Sequence, residues 1–182
     1  MALTATIHRF VIDLSDVDRG VYESLDLRAA RHPSESVRYL LQRTFAYALC
    51  YAEGIAFSKG LFVTDEPAVW IRQPDNRIDL WVDIGRPSME RLHKASKHAA
   101  RVVVFTDDPD HLRREAGSAK VHRAEAIELH TVEATLFEAL EQRLDRNMQF
   151  TLVHTDGRLY LTLGDKTFEG ALTRRTLVDA DD

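Results

Sequence analysis

The spacing of apolar residues changes period several times along this chain, and each change marks an element. Ala2 to Leu14 alternates at period two. Leu3, Ala5 and Ile7 hold one phase and Phe10, Ile12 and Leu14 the other, which predicts a long strand with a bulge or bend near His8 and Arg9. Ser15 to Gly20 is a polar turn. Val21, Leu25, Leu27 and Ala29 then share a face, completing an N-terminal hairpin. From Pro33 to Ala52 the period becomes helical, with Val37, Leu40, Leu41, Thr44, Phe45, Ala48 and Leu49 in one stripe and Gly54 as the stop. Two short extended pieces around Asp65, Glu66 and Pro67 follow, with Trp70 expected in the core.

Ile78, Leu80, Val82 and Ile84 then point one way from a strand, and Asp79, Trp81 and Asp83 the other. Gly85 breaks this strand and Pro87 opens a helix to about Ala100, on which Leu92, Ala95, Ser96 and Ala99 form a small-residue stripe. The run Val102 to Phe105 has the continuous apolar character of a buried parallel strand, so strand, helix and strand make a βαβ unit with a right-handed crossover. Pro109 starts a further helix that reaches Gly117. Ala126 to Leu129 reads as a strand and Val132 to Leu144 as a helix. Near the end, Asp156-Gly157 between two alternating runs is a hairpin signal, and Gly164, Asp165 and Lys166 turn into Phe168 to Thr173. This meander either joins the N-terminal hairpin as a second sheet or extends the first. The fold class is therefore mixed, α+β to α/β: one domain over residues 1–182, with a central mixed sheet, flanking helices and a β-hairpin at each end.

Composition narrows the function classes. The net charge of −5 gives no global basic field, so any contact with nucleic acid has to be local. A single cysteine, Cys50, permits no internal disulfide, lies beside a helical apolar stripe, and reads as a packing residue of a cytoplasmic protein. No leader and no long apolar run is seen, so membrane insertion is not expected. The eight histidines are scattered without zinc-ligand spacing, and no phosphate-binding glycine loop or nucleophile elbow is present.

What stands out is the pair Asp79 and Asp83 on one strand face, followed by a helix flanked by Arg91, Lys94, Lys97, His98 and Arg101. Like charges on one face repel unless a cation or donor sits between them. Carboxylates on a strand and cations on the next helix are the ingredients of a metal-assisted phosphate site. The plain alternatives are a solvated strand and a solvated helix face.

The segments RHPSE at Arg31–Glu35, FSKGL at Phe57–Leu61, DEP at Asp65–Pro67 and IDLWVDIGRP at Ile78–Pro87 resemble the YaeQ family of small bacterial proteins. The resemblance covers the whole chain and implies a variant of the PD-(D/E)XK, restriction-endonuclease-like fold. In that reading Asp79 and Asp83 hold Mg²⁺ or Mn²⁺, and Glu35, at the matching place on the first helix, joins the site. A lysine follows the second carboxylate in the superfamily pattern, but here that position is Gly85. Lys94 or Lys97 would have to reach back from the helix. Two readings follow. One is a metal-dependent nuclease acting on phosphodiesters. The other is a non-catalytic relative that uses the same groove, through the basic helix, to bind nucleic acid or a protein partner.

Overall fold

The structure, a computed structural model, describes residues 4–59 and 64–180. Ala2 and Leu3 of the first expected strand, and Gly60 and Leu61 of FSKGL, lie outside these residues. Ten strands form one sheet: β1 (Thr6–Asp16), β2 (Val21–Arg31), β3 (Ile55–Phe57), β4 (Val69–Arg72), β5 (Ile78–Ile84), β6 (Ala99–Phe105), β7 (Glu128–Val132), β8 (Asn147–Thr155), β9 (Arg158–Leu163) and β10 (Lys166–Thr176). Their spatial order is β2-β1-β8-β9-β10-β7-β6-β5-β4-β3. β1 and β8 are parallel, as are β5, β6 and β7; the other pairs are antiparallel. The C-terminal meander therefore extends the first sheet, and its β1–β8 pairing joins the two ends of the chain.

Among the described residues four α-helices complete the fold: α1 (Val37–Leu49), α2 (Met89–His98), α3 (Pro109–Ala116) and α4 (Ala134–Glu141). α1 packs against β2 and against β3, the two edges of the sheet, so the sheet curls around this helix and nearly closes. Phe45, Leu40 and Leu41 of α1 meet Phe10, Ile12, Leu80, Val82, Phe150, Leu161 and Leu136 in the inner core. A second, outer core places Leu92 and Ala95 of α2 and Leu112 of α3 against Trp81, Val102, Val104 and Leu129. β5 to β7 are thus covered on both sides, which is why Val102–Phe105 is apolar without alternation.

Several sequence expectations need correction. β1 runs against β2 in unbroken register, with no bulge at His8. His8 is buried because its Nδ1 meets the Asp145 carbonyl at 3.1 Å, so a polar ring takes the inward phase and Ile7 is turned out, 55% exposed. The helix expected from Pro33 starts at Val37, where the Ser36 hydroxyl accepts the Tyr39 N–H as N-cap. Glu35 therefore lies in the turn before α1. Val132 closes β7 rather than opening α4. Trp70 is half-buried, its ring under the Arg72 guanidinium at 5.0 Å; Trp81 is the buried tryptophan.

Candidate functional site

β5 ends at Ile84, Gly85 turns with φ of +86°, a conformation that suits a residue without Cβ, and Ser88 caps α2 by accepting the Arg91 N–H. This short connection places the first turn of α2 directly over the end of β5. Arg91 reaches back to Asp83, whose side chain is 5% exposed, with Nε–Oδ2 and Nη2–Oδ1 contacts of 2.8 Å each. The same guanidinium donates to the carbonyls of Thr64 and Glu66 and lies 5.3 Å from the Trp81 ring. Asp83 holds the Arg91 charge in place and raises its pKa. All three guanidinium nitrogens of Arg91 donate, so it staples the 64–66 segment to β5.

A second fork stands behind the first. Glu35, 4% exposed, accepts from Arg43 Nε at 2.7 Å and Nη2 at 3.2 Å. Arg43 also donates to the Ala30 carbonyl at 2.7 Å and covers the Phe57 ring at 5.2 Å. Tyr39 lies within the field of both pairs. Burial lifts its phenol above the usual range, with Arg43, Asp83, Glu35 and Arg91 as the charges it feels. Glu35 and Asp83 are thus brought into one neighbourhood, each neutralised by its own arginine.

Asp79 is held elsewhere. The β4–β5 register shifts between Ile71 and Arg72, leaving Asp79 as the extra residue. Ile78 consequently packs with the outer core instead of sharing the inner face of Leu80 and Val82. Asp79 accepts from Gln73 Nε2 at 2.5 Å and faces Arg77 Nε at 3.4 Å. Four residues of extended chain, roughly 13 Å, separate it from Asp83. Lys94 pairs with Glu90 one turn back at 2.8 Å, and Lys97 is exposed. Neither lysine reaches Asp83. The cation that does is Arg91, which sequence reading placed on the basic flank; Arg43, two turns along α1 from the Glu35 turn, was missed altogether.

These residues do not fit Mg²⁺ or Mn²⁺. Hard cations take several oxygens at about 2.0–2.6 Å, yet both Asp83 oxygens accept from the Arg91 guanidinium and both oxygens of the neighbouring Glu35 accept from Arg43. Among the described residues no group of three His, Cys, Asp or Glu is placed to hold one ion.

What lies open is a groove of about 600 Å³ along α2, lined by Ile78 and Trp81 of β5, by Ser88, Glu90, Lys94, Ala95 and His98 at the start and along the helix, and by Asp65. The Trp81 indole N–H is buried and has no acceptor among the described residues. Arg91 separates this groove from a smaller hollow of about 250 Å³ containing Tyr39, Asp83 and Arg86. With Trp81 only 7% exposed under Arg91, its face is closed to stacking. No described helix is long and apolar enough to cross a membrane.

The comparisons agree among themselves. The chain is 39% identical over 106 residues to an uncharacterised YaeQ protein of Escherichia coli (strain K12), covering 58% of this chain and 59% of that one. It is 38% identical over 105 residues to the YaeQ protein of Salmonella typhi, with 58% of each chain covered. The chain thus spans less than two thirds of these curated relatives in the matched region. The crystal structure of YaeQ from Xanthomonas axonopodis pv. citri superposes with a TM-score of 0.86 at 29% identity, covering 94% of this chain and 98% of that one. That of YaeQ from Pseudomonas syringae gives 0.81 at 30% identity, with 97% of each covered. Residues 1–172 match the family described as YaeQ protein, and the chain belongs to the YaeQ family.

Proposed function

We propose that this protein is a non-hydrolytic variant of the restriction-endonuclease-like PD-(D/E)XK fold that binds nucleic acid along the groove of α2. The observation that carries this reading is the pair of arginine forks. Asp83–Arg91 and Glu35–Arg43 close two of the three acids expected at a hydrolytic metal site, and the third, Asp79, is held apart by Gln73 and Arg77. The reading is also supported by the cations left outside those forks. Lys97 projects from the exposed side of α2, and Lys94 is tied only to Glu90, in a surface pair both of whose members are more than two-thirds exposed. Such a pair gives way readily to a phosphate oxygen, because exposed ion pairs contribute little.

The chemistry is that of positioning. Ammonium groups neutralise backbone phosphates, releasing counterions, while Ile78 and Ala95 offer an apolar floor to a sugar or base edge. The test uses fluorescence anisotropy with labelled single- and double-stranded DNA and RNA at several salt concentrations, with and without Mn²⁺. Binding should weaken as salt rises, fall in Lys94→Glu and Lys97→Glu, and proceed with no cleavage of any strand. Metal-dependent cleavage lost in Asp83→Asn would restore the nuclease reading; absence of binding to all four nucleic acids would remove the present one.

A further inference from the structure

The outer face of the sheet near the start of β1 carries three arginines at one place. Arg9 of β1 stands directly opposite Arg28 of β2 in the antiparallel register. On its other side Arg9 is level with Asn147 of β8, and its backbone N–H donates to the Arg146 carbonyl at 2.7 Å. Like charges directly opposite across a strand pair are destabilising, and here a third cation adjoins them. Asp26 offsets one charge. It takes both Arg9 donors at 2.8 and 2.7 Å, and its carboxyl is held below the usual range first by Arg9 and then by Arg28. Asp145 turns its carboxylate back to the Arg146 backbone N–H at 2.6 Å. Among the described residues neither Arg28 nor Arg146 has an ion pair, so two guanidinium groups stay unpaired while the three arginines, set against Asp26 and Asp145, keep one net positive charge.

These side chains are not dispersed over a flat surface. Ile7, Arg9, Arg28, Arg146 and Asn147 line a cleft of about 350 Å³ that contains no acid. Next to it, sharing Arg9 and Asn147, lies a hollow of about 200 Å³ with Val11 and Met148 in its wall. We propose that this cleft is an oxyanion site that takes a phosphate group. Two unpaired guanidinium forks match the charge of a phosphate monoester, about −1.5 to −2 near neutral pH, and its three acceptor oxygens. A carboxylate brings one charge and two oxygens, which fill a single fork. The adjoining hollow accommodates the organic part of an ester. This site is independent of the α2 groove, and its failure would leave the nucleic-acid reading untouched.

The experiment is thermal melting of the full chain with inorganic phosphate, with a 5′-mononucleotide and with dimethyl phosphate, each against chloride at equal ionic strength. The variants are Arg28→Gln, Arg146→Gln and the double substitution. Inorganic phosphate or the mononucleotide should raise the wild-type midpoint by about 5–10 °C at a hundredfold excess over its dissociation constant. The diester should do markedly less. The double variant should lose the phosphate response and, freed of repulsion, melt higher than wild type in chloride alone. Three results would overturn the proposal: an equal shift in wild type and double variant, which is a generic salt effect; no shift in wild type at tens of millimolar phosphate; or a diester response equal to that of the monoester.

Discussion

Arg43→Met tests whether Glu35 is half of a structural pair or a free acid available to chemistry. Glu35 and Arg43 are each 4% exposed, and the pair is bidentate. Methionine keeps most of the aliphatic stem against Phe57 and removes the guanidinium. The Glu35 carboxylate is then left with one backbone donor, the His32 N–H at 3.3 Å, and the Ala30 carbonyl loses its 2.7 Å partner. Breaking a desolvated ion pair by removing one member costs about 3–5 kcal/mol, mostly the penalty of the stranded charge. That is a large part of the roughly 5–15 kcal/mol that stabilises a domain, and it corresponds to a drop of about 6–20 °C in melting midpoint at this size. Urea denaturation of wild type, Arg43→Met, Glu35→Gln and the double variant supplies the assay. Removing both charges should recover at least half of the loss, giving a coupling energy above about 1.5 kcal/mol. An Arg43→Met cost under about 1 kcal/mol, or additive single effects, would show that the pair is not desolvated and that the arginine-fork reading of this site is wrong.

Three further outcomes follow from the same geometry. Arg91→Met strands Asp83 and frees the Thr64 and Glu66 carbonyls, so it should destabilise by about 3 kcal/mol and speed proteolytic cleavage next to residue 64; Arg91→Lys, which lacks the fork, should restore little of either. Stability should fall on acidification in two stages. Burial depresses the His130 imidazole below 6.5, so its contribution fades as pH drops from about 6.5. Burial pushes the Glu128 carboxyl up, but hydrogen bonds from Arg101 and His130 outweigh this and bring it down to about 2, so its share, on the order of 2 kcal/mol, is lost between about pH 4.5 and 2. Melting profiles of wild type and Glu128→Gln should therefore converge in acid. Gly170→Ala should cost about 1–3 kcal/mol by chemical denaturation, because its Cβ would meet Glu133 Cβ at 3.0 Å and Leu136 Cγ at 3.1 Å.

The sequence was most readable where one physical rule acts alone. The apolar run Val102–Phe105, the Asp156-Gly157 turn and the Leu92–Ala95–Ser96 stripe all stand where periodicity and turn chemistry put them. Cys50 is a packing residue, its thiol pushed up to about 11 by burial. The misreadings at His8 and Asp79 share a cause: contacts between residues that no local pattern joins. His8 takes an inward position through a carbonyl 137 residues away, and period-two reading turned that into a bulge. The real bulge, at Asp79, depends on a register with β4 that no local pattern records. Alternation put Asp83 on the Trp81 face of its strand, and its partner follows from a Ser88 cap and a Gly85 turn that aim Arg91 rather than Lys94 at the strand. The two lysines were candidates because they are cations on the right helix; their position around it sends them outward.

The parallel pairing of β1 with β8 bears on how such a chain reaches its native state. During synthesis the N-terminal hairpin emerges first, but the strand that completes its inner side lies about 140 residues later. Until β8 arrives, β1 keeps a row of unpaired backbone groups, and Phe10, Ile12 and Leu14 lack most of their core. The β5-α2-β6 segment can meanwhile close on local contacts. Folding should accordingly be two-paced, with an early middle and a late clasp, and its rate governed by the long loop between β1 and β8. The nascent chain is most exposed to association through an open edge just before its last third leaves the ribosome. A chaperone that shields extended apolar strands would act in that interval, on the hairpin at the chain's beginning rather than on the groove beside α2.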